Sequence, residues 1–221
     1  SALRTAAVAV TAFAALVLLV LPLRRLGPRR VRCLPGAGRG TLYFAAIGAG
    51  FMLLETTWVQ RFTLYLGHPS YALPVVVGSL LLGTGLGSLG AARFGPGRLR
   101  RFGPAFALLL AALSFALPAL FTATMGRPLA WRVLAATVVA GGTGLGLGLY
   151  FPLGMIRFAE EGKPWFWAVN AFFGTAASVL SLALAMEFGH RALGVAAAIV
   201  YAGAWAAFAG GLDPGGGAQS V

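Results

Sequence analysis

The chain has 221 residues, of which 59% are hydrophobic and only 10% are charged. Soluble globular domains are about one quarter charged, so the composition predicts a membrane protein. The 17 Lys and Arg exceed the 5 Asp and Glu, which gives a net charge of +12. In a soluble chain this excess would suggest nucleic acid. Here the basic residues cluster between apolar runs, as in the loops of membrane proteins, and we predict no nucleic-acid partner.

Uncharged runs long enough to cross a bilayer as helices follow one another along the chain. The second run is short if it stops before Glu55, but it reaches full length if it continues to Gln60. We predict an all-α, polytopic transmembrane bundle of about seven helices over residues 1–211, with a flexible or partner-bound tail over 212–221. The predicted spans are Thr5–Leu23, Thr41–Leu54, Tyr71–Ala92, Pro104–Met125, Val133–Ile156, Pro164–Met186 and Ala192–Gly211.

The distribution of basic residues predicts the orientation of the bundle. Loops with many Lys and Arg stay in the cytoplasm, and alternation of the spans puts most cations on one side. This places the N-terminus outside and the C-terminus in the cytoplasm, in the inner (cytoplasmic) membrane of a cell. The predicted outer cations are Arg4, Arg61, Arg127, Arg132 and Arg191. The predicted inner cations are Arg24, Arg25, Arg29, Arg30, Arg32, Arg39, Arg93, Arg98, Arg100, Arg101, Arg157 and Lys163.

Glycine is frequent, with 32 residues, and the pentapeptide GTGLG occurs at 83–87 and again at 142–146. In a membrane, small residues let helix backbones approach closely. A phosphate-binding glycine loop is the alternative, but it needs a strand–loop–helix context, and the Lys of a P-loop is absent. We therefore predict helix packing by Gly83, Gly85, Gly87, Gly142, Gly144 and Gly146.

Glu55 is a carboxylate inside an apolar run. A charged group that faced lipid there would be costly, so Glu55 is expected to face protein or a wet cavity, or to be protonated. One hypothesis is a proton or cation site. The other is a structural hydrogen bond to Thr56, to Thr57 or to another helix.

Further polar residues are expected near Glu55 on the outer side of the bundle. Two histidines and two carboxylates there could bind a metal or relay protons, but none has the i, i+4 spacing of a strong metal motif. A solvated rim is the alternative, and Asn170 is expected to join helices in the inner half. The candidate binding residues are Glu55, Gln60, Arg61, His68, Asn170, Glu187 and His190. We predict no metal, no cofactor and, without a catalytic constellation, no enzymatic activity.

Three stretches of the chain resemble one family. They are GFMLLETTWVQRFTLYLGHPSYAL (50–73), YFPLGMIRF (150–158) and PWFWAVNAFFGTAASVLSLALAMEFG (164–189). They are similar to the membrane segment of bacterial spermidine-synthase-like proteins, also described as fused major-facilitator/spermidine synthase proteins, and the similarity covers roughly Tyr43 to Tyr201. Phe172, Phe173 and Thr175 stand where that family usually has small residues.

The resemblance implies a membrane domain without catalytic activity of its own. In such proteins a soluble aminopropyltransferase-like domain is joined to the helices, and these 221 residues show no counterpart of it. We expect an anchor or assembly subunit of a larger membrane complex, in contact with the lipid bilayer and with other membrane protein subunits. The alternative is a transporter-like bundle for a small cation or polyamine, with Glu55 as its intramembrane carboxylate.

Overall fold

The computed structural model describes residues 37–158 and 163–210, and these residues form helices without any strand. All of the helices are long and apolar enough to cross a membrane. The prediction of an all-α chain with membrane-length helices is therefore confirmed for this part of the sequence. The helices are α1 (Ala37–Leu66), α2 (Pro69–Phe94), α3 (Pro96–Thr124), α4 (Leu129–Phe158) and α5 (Lys163–Ala209).

The predicted count of about seven helices is not matched, because five are present in the described ranges. The first predicted span, 5–23, and the tail, 212–221, lie outside the described residues. The last two predicted spans, 164–186 and 192–211, belong to α5, an element of 47 residues. The two spans form one continuous element because a single non-helical residue, Gly189 (φ 78°, ψ 162°), joins the two helical halves without a loop.

The two halves of α5 run antiparallel to each other. Phe166 in the first half stacks on Phe44 of α1 with ring centroids 4.9 Å apart. Phe208 in the second half lies 5.6 Å from the ring of Tyr43, the adjacent residue of α1. A straight helix would separate residues 166 and 208 by about 63 Å. The chain therefore folds back at Gly189, and each half is long enough to cross a hydrocarbon core of about 30 Å.

The bundle is built from two closely packed helix pairs, α1 with α5 and α2 with α4. Glycines make the α2–α4 contact close, because a Cβ atom at Gly83 or Gly87 would overlap a carbonyl oxygen of α4, and one at Gly144 would overlap a carbonyl oxygen of α2. Gly146 contacts the Phe106 ring of α3. Gly85 and Gly142 depart from the prediction, because a Cβ atom at either would meet nothing within 4 Å. Those two glycines lie on helix faces that no other described helix covers.

Most cations of the described residues lie at one end of the bundle, here called the basic end. Arg39 at the start of α1 donates to the carbonyl of Gly210. Arg100 at the start of α3 donates to the carbonyl of Ala209 at 3.1 Å. The basic end carries Arg39, Arg93, Arg98, Arg100, Arg101, Arg157 and Lys163, and the opposite end carries Arg61, Arg127, Arg132 and Arg191. The side of the membrane that each end faces stays a prediction.

Candidate functional site

A cavity of about 700 Å³ lies between the α1–α5 pair and the α2–α4 pair. Helix α1 forms one wall with Gly48, Phe51 and Met52. Helix α2 contributes Thr84, while α4 contributes Tyr150 and its neighbours. The two halves of α5 complete the wall. The remaining lining residues are Ile47 of α1, Leu147 and Phe151 of α4, Trp167, Asn170, Ala171, Gly174, Thr175, Ser178 and Val179 of the first half of α5, and Tyr201 of its second half. No charged side chain is among them.

Small residues on α1 and α5 let the walls of the cavity pack closely on one side. The backbone of α5 at Asn170 is so close to Gly48 that a Cβ atom there would overlap the Asn170 carbonyl oxygen. One turn farther along, a methyl group at Gly174 would lie 3.7 Å from Cγ of Met52. These close contacts hold α5 on α1. The first half of α5 meets α4 mainly where Trp167 contacts Phe151, at a ring distance of 4.6 Å, and the space beyond stays open.

The cavity is open to the outer surface of the bundle. Trp167 is 59% exposed, and Ala171 and Ser178, which also line the cavity, are exposed as well. All three lie on the first half of α5, within a helix of membrane length. No other described residue covers this opening, and if α5 crosses a membrane the opening lies along its length.

Tyr150 provides a polar group at the inner wall of the cavity. Its side chain is only 1% exposed, and its hydroxyl has no hydrogen-bond partner in the described structure. Its ring contacts the Tyr201 ring edge-on at 5.1 Å, and its backbone carbonyl accepts a hydrogen bond from the Tyr43 hydroxyl at 2.5 Å. A buried hydroxyl without a partner costs about 1–3 kcal/mol. The oxygen itself is closed off from the cavity, so a molecule there would recover this free energy only by bonding to the hydroxyl after a shift of the Tyr150 ring.

Asn170 lies in the same cavity, on the side of the basic end. Its side-chain amide donates to the carbonyl of Phe44 at 3.2 Å and so links α5 to α1. This bond has the helix-joining role that we expected of Asn170. The residue also lines the cavity, and it is the only one of the predicted binding residues to do so within the described chain.

Glu55 lies just beyond the cavity, on the face of α1 that carries Phe51 and Met52. It is half-buried and forms no hydrogen bond or ion pair with another described residue. The hypothesis of a structural bond to Thr57 is not supported, because the Thr57 hydroxyl donates to the Leu53 carbonyl at 2.7 Å. Glu55 therefore stays available for a ligand or an ion that approaches along this face.

The other predicted binding residues do not form one site. His68 is exposed, and its Nδ1 accepts a hydrogen bond from the backbone N–H of Ser70 at 3.2 Å, so His68 caps α2. Gln60 is half-buried on α1, and Glu187 is exposed on α5. Over the described ranges, His, Cys, Asp and Glu form no group of three or more that could hold a metal.

Arg61 and His190 come together with a third residue, Arg191, at the opposite end. Arg61 is 8% exposed, and its guanidinium donates to the carbonyl of Ser114 on α3 at 3.1 Å. The guanidinium of Arg191 covers the neighbouring ring of Phe115 at 5.6 Å. Gly194, one helical turn beyond His190, is so close to Ser114 that a Cβ atom there would overlap the Ser114 hydroxyl, so His190 also lies near the Arg61 contact.

The aromatic residues of the cavity were not predicted from the sequence. Phe51, Tyr150, Trp167 and Tyr201 lie in different apolar runs, where each is an ordinary residue of a transmembrane helix. The one available signal was a tyrosine in the interior of an apolar run, because a buried tyrosine hydroxyl usually needs a partner. Tyr150 and Tyr201 both satisfy that description.

The stretches that resemble spermidine-synthase-like membrane proteins supply much of the cavity wall. Phe51 and Met52 come from the first stretch, Tyr150 from the second, and Trp167 and Asn170 from the third. The resemblance itself stays a prediction. Compared with protein-family models, curated proteins and solved structures, the chain matches none of them.

Proposed function

We propose that this chain is a non-catalytic membrane domain that holds an amphipathic molecule, taken from the bilayer, in its intramembrane cavity. The observation that carries the proposal is the aromatic-lined cavity that opens between exposed residues of α5, with Tyr150 and its unpartnered hydroxyl in its wall. A volume of about 700 Å³ is in the range of small-molecule sites, which are mostly apolar with a few placed polar groups.

The chemistry of the lining defines the class of ligand. Aromatic rings of Phe51, Tyr150, Phe151, Trp167 and Tyr201 suit a flat or branched apolar body. The Tyr150 hydroxyl suits one hydrogen-bonding group on that body. Because no charged residue lines the cavity, the part of the ligand inside it is uncharged. A lipid-like molecule with a carbonyl, ether or hydroxyl group has these properties.

Blocking the entrance is expected to remove the ligand. Ala171→Trp puts an indole into the open side of the cavity, and we expect at least a tenfold lower occupancy, roughly the effect of about 1.4 kcal/mol. The measurement is native mass spectrometry of protein that has been extracted from membranes in mild detergent, followed by extraction and identification of the bound molecule.

The matched control is Ala183→Trp, an exposed alanine of the same helix that is outside the cavity lining. It should carry as much ligand as the unmodified protein. A protein that carries no bound molecule at all, or an Ala171→Trp variant that keeps it, would refute the proposal. The same spectra test the predicted anchor or assembly role, since subunits of a larger complex would co-purify in stoichiometric amounts.

A second candidate function is transport of a small cation or polyamine, and the position of Glu55 favours it. Glu55 is a half-buried carboxylate without a partner among the described residues, one helical turn from the cavity wall at Met52. Membrane carboxylates of this kind often lie on ion pathways. A cleft between two helix pairs could supply such a path.

Neutralising Glu55 separates the two candidate functions. If the protein transports a cation, Glu55→Gln should reduce its proton-driven uptake into liposomes more than tenfold, because the coupling charge is lost. Glu187→Gln, at an exposed site on α5, is the control and should transport normally. Absence of uptake by the unmodified protein, or equal uptake by Glu55→Gln, would remove the transport function and leave ligand binding in place.

A further inference from the structure

The opposite end of the bundle contains a group of cations built around the backbone of α3. Arg61 of α1 donates to the Ser114 carbonyl, and Gly194 of α5 is so close that a Cβ atom there would overlap the Ser114 hydroxyl. Arg191 covers the next residue, Phe115. Three helices therefore meet at Ser114 and Phe115, and they bring two guanidinium groups to one place.

These cations have no carboxylate partner in the described chain. The carboxylates among the described residues are Glu55 and Glu187, and neither forms an ion pair with Arg61 or Arg191. Arg61 is 92% buried, since it is 8% exposed. A buried charge without a counter-charge is strongly unfavourable, and breaking a buried pair costs several kcal/mol. The arrangement therefore calls for an anion that is not part of these residues.

Two further groups at this place also favour an anion. The second half of α5 begins at His190, directly after the break at Gly189, and a helix N-terminus carries a partial positive charge. The Nδ1 atom of His190 is buried and has no hydrogen-bond partner in the described structure. If Nδ1 carries a proton, it can donate a hydrogen bond to an anion at this place. The described residues offer it no acceptor.

The depth of the group and its surroundings point to the chemistry of the anion. Arg61 lies five residues before the end of α1, about 8 Å below it, which is near the level of lipid headgroups. Phe115, whose ring lies under the Arg191 guanidinium, and Phe188, two residues before His190 in the chain, are 58% and 66% exposed, so apolar chains can lie against them. Guanidinium groups bind phosphate oxygens through paired hydrogen bonds.

We infer that Arg61, His190 and Arg191 form a binding site for a phosphate group, as carried by an anionic phospholipid or by a soluble phosphate compound. The site is separate from the cavity, because none of the three residues lines it. The exposed phenylalanines favour the lipid. This phosphate would neutralise Arg61 and hold α1, α3 and α5 together at the end of the bundle.

Lipid titration tests the site. The delipidated protein is titrated with dioleoylphosphatidylglycerol, with dioleoylglycerol, which has the same chains but no phosphate, and with inorganic phosphate. Binding is measured by native mass spectrometry. We expect Arg191→Gln to bind the phospholipid roughly tenfold more weakly, the loss of one charge-assisted hydrogen bond, and to leave dioleoylglycerol binding unchanged. Arg61→Gln should weaken phospholipid binding by the same factor or more.

The control is Arg132→Gln, which removes a cation at the same end whose guanidinium donates to the Tyr65 carbonyl at 2.8 Å. It should change phospholipid binding less than twofold. Binding of inorganic phosphate that depends on Arg191 would support the site and identify a soluble compound as its ligand. The proposal is overturned if Arg191→Gln binds both phosphates normally, or if Arg132→Gln weakens binding as much. Because Arg191 is exposed, its variant tests the site even if Arg61→Gln does not fold.

Discussion

Replacing Gly87 with valine is expected to destabilise the bundle by about 3 kcal/mol or to prevent its folding. A Cβ atom at Gly87 would overlap the carbonyl oxygen of Leu145 in α4, and a backbone atom cannot move aside as a flexible side chain can. The α2–α4 pair would have to separate along its length, because the same close contact recurs at Gly83 and Gly148. Thermal unfolding in detergent, followed by circular dichroism, measures the loss.

The matched variant is Gly85→Val, two residues away on the same helix. A Cβ atom at Gly85 meets nothing within 4 Å, and the position faces away from α4. We expect its Tm to stay within a few degrees of the unmodified protein, since only helix propensity changes. Equal stability of the two variants would show that α2 and α4 do not pack through these glycines.

The glycine contacts show how much of the fold the sequence could predict. Small residues in GTGLG indicated close helix packing, and the helical period puts Gly83 and Gly87 on one face and Gly85 on another. Which of those faces meets a partner depends on the positions of all the helices. That information is spread over the whole bundle, and a single pentapeptide does not contain it.

The candidate site was harder to predict than the fold. Glu55 stood out because a carboxylate is rare in an apolar run, but His68 stood out only by residue type, and it caps a helix. The cavity was not predicted because its walls consist of ordinary aromatic and small residues from four helices. Rare polar residues are visible in a sequence, whereas a space between helices becomes visible only once their packing is known.

Helix α5 shows a different limit of prediction from the sequence. The residues EFGHR at 187–191 interrupt the apolar pattern, and they correctly separated two membrane-length segments. The predicted spans 164–186 and 192–211 leave these five residues as the connection between two helices. The chain instead reverses at Gly189 alone, with φ 78° and ψ 162°. Gly95 joins α2 to α3 with nearly the same angles, φ 73° and ψ 157°, so this connection occurs twice.

Gly189→Ala is therefore expected to have a large effect without any steric clash. Nothing lies within 4 Å of a Cβ atom at this position, but its backbone angles belong to a region that is essentially restricted to glycine. Strain of about 1–3 kcal/mol is expected for alanine. The variant can relieve that strain only if the backbone at residue 189 changes conformation and the second half of α5 moves. Tyr201 and Phe208 would then lose their contacts with α1. We expect a lower Tm and partial loss of folded protein.

Gly203→Ala is the control for this substitution, because Gly203 lies inside the second half of α5 and also has nothing within 4 Å of its Cβ position. There alanine should stabilise the helix slightly, by about 0.5–1 kcal/mol. The two variants therefore differ in the sign of their effect, although the added methyl group is the same. If Gly189→Ala proved as stable as Gly203→Ala, the reversal would not depend on a glycine conformation. The fold-back would then have to be maintained by the contacts of both halves of α5 with α1.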